Sequence, residues 1–308
     1  MKLLVSVMTF NRGRHLLNCV RSIRHNFQFP YELIIVDDGS TDQAAVQTLS
    51  ELSQTCRVII PSTKEVSRKH KGLYANMNLA LELAIGEGFT ILAIFQDDTQ
   101  VIRPVSLLEL QHIKSILELD NFVSVVPLFF KKNHQKNYAE LIDYNETHQF
   151  YFARNSDQKY LNGIADIGFF NVARLKEVGW YFESNETLNI QKGIKLGFKR
   201  AVLKNPFLAY LPWPETHRYG VTNFNELFTF ITDRLFKAGF HPFKDLSGEM
   251  LNKLISRNPH IIPFAEDYLE LADNVKLKEP WNYYESSFPI RQMIKKFFKK
   301  TYAIFHLV

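Results

Sequence analysis

Apolar residues recur along this chain in two rhythms. Short, nearly unbroken runs at Leu3 to Met8, Glu32 to Val36, Arg57 to Ile60, Phe89 to Phe95 and Phe122 to Val126 read as strands with both faces buried. Between them, apolar positions return every three or four residues over Arg14 to Phe27, Gln43 to Gln54, Gly72 to Ile85 and Val105 to Leu119, the pattern of helices with one buried face. This alternation predicts an α/β fold, a mainly parallel sheet flanked by helices on both faces. From about Asn223 onward the patterns are mostly helical, at Glu226 to Ala238, Gly248 to Ser256 and Ala265 to Ala272. The last segment carries an apolar stripe through Ile290, Met293, Ile294, Phe297, Phe298, Tyr302 and Phe305.

Composition narrows the class. With 308 residues, 46% hydrophobic and 22% charged, the chain has the mix of a globular protein and the length for a sizeable core. Its apolar runs fall far short of the roughly 20 residues that span a bilayer, and the N-terminal segment lacks the length and cleavage site of a secretory signal. A cytoplasmic location is the expectation. Cys19, in a predicted helix, and Cys56, in a predicted strand, lack metal-ligand spacing and read as reduced core thiols.

The net charge of +5 changes the picture only at the end. Between Ser286 and Val308 there are five basic residues, Arg291, Lys295, Lys296, Lys299 and Lys300, and no acid. The rest of the chain is balanced, which argues against a nucleic-acid surface. A basic amphipathic helix of this kind either lies on an anionic membrane surface, here the inner face, or packs on the domain with its lysines in water.

Candidate chemistry sits where strands stop. The fingerprint G-x-G-x-x-G is missing after the first strand, as is the loop G-x-x-x-x-G-K-[ST]. Instead the first strand runs into Thr9-Phe10-Asn11-Arg12, the second into Asp37-Asp38-Gly39-Ser40-Thr41-Asp42, and the fourth into Gln96-Asp97-Asp98. Gly39 suits a positive φ, and Ser40 or Thr41 can cap the next helix. Four carboxylates at one edge of a parallel sheet repel one another unless a cation or hydrogen-bond donors stand among them. Aspartate oxygens are hard ligands, and Mg²⁺ is commonly held by one or two carboxylates plus substrate phosphates.

These three segments, followed by Asn162-Gly163-Ile164-Ala165-Asp166-Ile167-Gly168 and Ser184-Asn185-Glu186-Thr187-Leu188, resemble the family 2 glycosyltransferases of GT-A fold over about residues 1 to 215. The resemblance implies an inverting, Mn²⁺- or Mg²⁺-dependent transfer from a nucleoside diphosphate sugar, commonly UDP-linked, to a glycan or lipid-linked acceptor in bacterial surface polysaccharide synthesis. By the same resemblance Phe10 stacks on the base with Thr9, Asn11 and Arg12 in the same motif, Asp38 contacts the base, Asp97 the ribose and Asp98 the metal. His217 would complete the metal shell. Glu186 falls where the general base is found, while Asp166 fits acceptor binding and is the fallback base, with Glu183 behind it. Arg68, Lys69 and Lys71 could meet phosphate. Two positions depart from the family's pattern, since Gln96 and Asn185 stand where acids are usual.

The implied organisation is a GT-A domain over residues 1–220, divided into a nucleotide half at 1–127 and an acceptor half at 128–220. An accessory helical region at 221–285 precedes the tail at 286–308. The alternatives are a sugar-phosphate nucleotidyltransferase, whose Arg-containing glycine loop is not matched by Thr9-Phe10-Asn11-Arg12-Gly13, and a non-catalytic nucleotide- or glycan-binding relative. Deleting residues 286–308 is expected to abolish sedimentation with anionic vesicles; unchanged sedimentation would assign the tail to the domain surface instead.

Overall fold

The computed structural model describes residues 1–61, 71–132, 138, 140–156, 161–212 and 237–273. Eleven strands lie among these residues: β1 (Leu3–Thr9), β2 (Glu32–Asp37), β3 (Arg57–Ile59), β4 (Ile91–Gln96), β5 (Thr99–Val101), β6 (Phe122–Val126), β7 (Ile142–Asn145), β8 (Phe150–Ala153), β9 (Gly168–Asn171), β10 (Lys199–Leu203) and β11 (Leu208–Tyr210). Their α-helices are α1 (Gly13–Asn26), α2 (Gln43–Leu52), α3 (Lys71–Gly86), α4 (Leu107–Leu117), α5 (Val172–Glu177), α6 (Glu186–Lys195) and α7 (Gly248–Ser256).

Nine strands form one sheet in the order β3-β2-β1-β4-β9-β6-β10-β8-β7. From β3 to β4 every pairing is parallel, with Thr9 opposite Asp37 and Met8 opposite Gln96, so these strands all end at one edge. Strand β9 then enters antiparallel between β4 and β6, with Gly168 opposite Ile94. The chain entering β9 therefore arrives at the edge where β4 ends. A second, two-stranded sheet pairs β5 with β11.

The alternation of side chains along β1 shows why the parallel strands read as continuous apolar runs. Leu3, Val5 and Val7 pack on one face with α1, α2 and α4, through Leu16, Val20, Leu49 and Ile113. Leu4 and Met8 pack on the other face with α3 and α5, through Met77, Leu81 and Leu175. Both faces are dry, so neither tolerates regular polar positions. Helix α4 begins with a reciprocal cap, Ser106 accepting from the Glu109 N–H while the Glu109 carboxylate accepts from the Ser106 N–H.

Several expectations shift in the structure. Asp42, not Ser40 or Thr41, caps α2 by accepting from the Ala45 N–H at 2.9 Å. Ser40 is drawn away by Asp37 and Asn11. Cys56 lies in the turn before β3 rather than in a strand, and Cys19 is buried in α1 as expected. Ala265–Asp267 forms only a 3₁₀ turn, because Leu271 leaves to pair with Phe243. The expected helix over Glu226 to Ala238 and the whole basic tail fall almost entirely or entirely outside the described residues.

The segment 237–273 is joined to the sheet by polar as well as apolar contacts. Gln100 exchanges two hydrogen bonds with the Phe243 backbone, at 2.9 and 3.0 Å. Arg257, 8% exposed, donates to the carbonyl of Ile261 at 3.0 Å, to Asn205 Oδ1 at 3.0 Å and to the carbonyl of Lys204. Arg257→Ala leaves these acceptors dry, with an expected loss of about 2–4 kcal/mol. Asn252→Ala, on the exposed face of α7, should change stability by less than about 0.5 kcal/mol. Denaturant midpoints of the two variants check the contrast.

Candidate active site

The site begins from strand register. Because β1 lies between β2 and β4, the Asp97 N–H donates to the Met8 carbonyl and the Asp38 N–H to the Thr9 carbonyl, both at 3.0 Å. The three motif segments thus end side by side. Asp37, Asp97 and Asp98 are only 0%, 3% and 5% exposed, which rules out a solvated turn.

Each buried acid has donors. Asp37 accepts from the N–H groups of Gly39 at 3.1 Å and Ser40 at 2.7 Å and from the Ser40 hydroxyl, so it builds the turn. Gly39 takes φ +80° there, as its sequence position predicted. Asn11, itself at φ 51°, accepts from the N–H groups of Thr41 and Asp42 at 2.7 and 2.9 Å and ties the first motif to the second. Asp97 Oδ2 accepts from the Thr9 hydroxyl at 2.9 Å and the Phe10 N–H at 3.3 Å. Arg12 Nη1 lies 2.7 Å from Asp98 Oδ2 and 3.4 Å from Asp97 Oδ1. Phe10 is half-buried.

Asp38 is half-buried against the first turn of α3. A Cβ on Gly72 would stand 1.9 Å from Asp38 Oδ2, so any larger residue there would push the carboxylate out of this position. Burial, then the adjacent Asp37 charge, raises the pKa of Asp38. Lys131 lies close enough to Asp98 for their charges to interact. Its ammonium stands 5.8 Å from the centre of the Tyr210 ring, and β11 is held beside Asp98 by a hydrogen bond of 2.7 Å from the Leu211 N–H to the Asp98 carbonyl. Burial lowers the Lys131 pKa to about 8 against the opposing pull of Glu266 and Asp98.

A second pair of acids is brought together by the loop before β9 and the start of α6. The loop before β9 sits so closely on α6 that a Cβ on Gly193 would come within 2.8 Å of Gly163 Cα, and Gly163 itself has φ +73°. That seat brings Asp166 near Glu186. Tyr74 of α3 donates to Asp166 Oδ2 at 2.7 Å, and Asp166 Oδ1 is buried without a hydrogen-bond partner among the described residues. Burial pushes the Asp166 pKa up to about 6, opposed by the Tyr74 hydrogen bond and helped by the Glu186 charge. Glu186 is exposed at the first position of α6. Asn185 caps that helix, accepting from the Leu188 N–H at 3.0 Å. Asparagine caps as well as aspartate does, which explains how an amide can stand where an acid is usual. Glu183 is paired with Lys192 at 3.0 Å.

Thr9, Phe10, Asn11, Arg12, Asp38, Asp97 and Asp98 therefore converge, with Asp166 and Glu186 forming a second group. His217, Arg68, Lys69 and the side chain of Lys71 lie outside the described residues. Among those described, no three His, Cys, Asp or Glu side chains cluster as a metal cage. Tyr74, Gly72 and Lys131 were missed by sequence reading. The available signal was the buried polar pair Tyr74 and Asn78, one turn apart on α3, since Asn78 exchanges hydrogen bonds of 3.0 and 2.7 Å with the Phe182 backbone.

A doubly covered α/β sheet with acids gathered where its parallel strands end is an architecture suited to a nucleotide-linked substrate. The chain belongs to glycosyl transferase family 2, whose profile matches residues 5–179. An uncharacterized glycosyltransferase of Rickettsia conorii is 26% identical over 141 residues, 46% of this chain, and the match spans 21% of that relative. Among solved structures, S. aureus TarS 1-349 is 16% identical, with 83% of this chain and 70% of that one covered at a TM-score of 0.45. The mannosyltransferase PcManGT from Pyrobaculum calidifontis, in complex with GDP-Man and Mn²⁺, is 15% identical, with 67% and 57% covered at 0.43. Among the described residues no helix is long and apolar enough to cross a membrane.

The Asp166 shift has a defined sign. A carboxyl whose pKa rises from 3.8 to about 6 on folding binds more protons folded than unfolded, so stability falls as pH climbs through that window. Asp166→Asn should consequently stabilise the protein by about 1–3 kcal/mol at pH 7. The advantage should vanish near pH 4. Thermal melts across that range check it, and a pH-independent difference would refute the assignment.

Proposed function

We propose that this protein is an inverting glycosyltransferase that moves a sugar from a nucleoside diphosphate donor, UDP-linked, to a hydroxyl of a glycan or lipid-linked acceptor in bacterial surface polysaccharide synthesis. The observation that carries this reading is the convergence of Thr9, Asp38, Asp97 and Asp98 at one sheet edge, with Asp166 and Glu186 gathered from the other half. Membership of family 2 supports it. TarS also occurs in a structure in complex with UDP-GlcNAc, and PcManGT with GDP-Man.

In this reading Phe10 stacks on the base, Thr9, Asn11 and Arg12 shape its pocket, Asp38 receives base N–H groups and Asp97 receives a ribose hydroxyl. Glu186 accepts the acceptor's hydroxyl proton as that oxygen bonds to the anomeric carbon. The bond from that carbon to the diphosphate breaks on the opposite face, and its electron pair leaves with the diphosphate. Asp166, oriented by Tyr74, holds a neighbouring acceptor hydroxyl.

Asp98 fits a divalent cation as a single hard ligand, because most oxygens of the Asp97–Asp98 pair already have donors and the donor phosphates can supply the remainder. His217 is the second candidate ligand. Bound Mn²⁺ or Mg²⁺ would neutralise charge on the departing diphosphate. The domain division at residues 220 and 285 and a peripheral place on the inner membrane face belong to the same proposal.

The proposal is tested with a panel of nucleotide sugars, with and without Mn²⁺, by release of nucleoside diphosphate. With the productive donor, Glu186→Gln should lower turnover by about 10²-fold or more. Donor affinity should change by less than about threefold. A variant with wild-type turnover would overturn the base assignment, and silence with every donor would overturn the activity.

A further inference from the structure

The carboxylates of Asp97 and Asp98, to which the proposed reading gives ribose and metal, already face a cation of this chain, and the role inferred for that cation rests on the same reading. Asp97 Oδ2 is occupied by Thr9 and Phe10, and one guanidinium nitrogen of Arg12 reaches Asp97 Oδ1 at 3.4 Å and Asp98 Oδ2 at 2.7 Å. All three residues are nearly sealed from water, Arg12 at 5%, Asp97 at 3% and Asp98 at 5% exposure. Arginine cannot give up its proton in such a place, so its charge is permanent. That charge stands against both carboxylates through a single nitrogen.

A divalent cation arriving at Asp98 meets this charge directly. It would share a carboxylate already bonded to Arg12, with Lys131 a further cation close enough to feel Asp98. Like charges gathered on one acid repel strongly in a site shielded from solvent. A diphosphate brings the missing negative charge and hard oxygen ligands together.

We propose that Arg12 is the resident counter-cation of the Asp97–Asp98 pair and competes with the metal for Asp98, so that a divalent cation binds tightly only together with a nucleoside diphosphate. Metal and nucleotide then favour each other reciprocally, as linkage requires. Arg12 holds the two acids in place between turnovers and prevents a stray metal from filling the site without its substrate.

Mn²⁺ binding to the full chain, followed by the electron paramagnetic resonance signal of free Mn²⁺, tests this without any turnover. The wild type should bind Mn²⁺ at least about tenfold more tightly at saturating UDP than without it. Arg12→Gln should bind Mn²⁺ alone at least about tenfold more tightly than the wild type, and Mn²⁺ should raise its melting temperature. Arg12→Lys, which keeps the charge, should resemble the wild type. If Arg12→Gln does not fold on its own, added Mn²⁺ should restore its melting transition, and failure to do so counts against the proposal. Equal Mn²⁺ affinity of the wild type with and without UDP, or a folded Arg12→Gln that binds no more tightly than the wild type, overturns the competition and leaves the metal assignment standing. No Mn²⁺ binding even with UDP overturns both.

Discussion

The site depends on the repulsion among acids gathered at one edge of the sheet and on the way this chain relieves it. Parallel pairing of β1 with β2 and β4 brings Asp37, Asp38, Asp97 and Asp98 together whether or not they attract anything. Each is then given its own remedy. Asp37 is absorbed into the turn it caps, Asp97 is held by the Thr9 hydroxyl and the Phe10 amide, and Arg12 bridges Asp97 to Asp98. Asp38 keeps an environment that raises its pKa, against a glycine that leaves it room. A carboxylate without such partners would cost several kcal/mol to bury, roughly as much as a domain's whole margin of stability.

The opposite wall obeys a different rule. There the backbone approach of Gly163 to Gly193 presses the loop before β9 onto α6, and packing, not charge pairing, sets Asp166 near Glu186. The result is an acid partly deprived of water and steadied by Tyr74. The arrangement costs stability above pH 6 and presents a carboxylate oxygen with no hydrogen-bond partner among the described residues. Helix α3 joins the two walls, with Gly72 against Asp38 and Tyr74 against Asp166.

Much of the fold was legible because both faces of the parallel strands are dry, which leaves long apolar runs such as Ile91 to Phe95 and sharp breaks after them. The short strands β5, β7, β8, β9 and β10 were not legible. Phe150–Ala153 and Gly168–Asn171 are four residues each, too short for a period to declare itself, and they are fixed by antiparallel partners distant in sequence. The 3₁₀ turn at Ala265–Asp267 misled for the same reason, since a helical spacing there yields to the pairing of Leu271 with Phe243.

By itself, the sequence determined the order of strands and helices in the parallel half, the membership in a glycosyltransferase family and the candidate acids, because strand-end motifs and apolar periods are local properties. Only the tertiary structure decided which donors those acids have. Arg12 turns back onto Asp97 and Asp98, Lys131 approaches them from beyond β6, and Tyr74 reaches across to Asp166. These contacts join distant parts of the chain, Arg12 and Asp98 standing 86 positions apart and Tyr74 and Asp166 92 positions apart. Electrostatics and hydrogen bonding act through space over a few ångströms, and sequence spacing carries no record of which distant side chain will stand within that range.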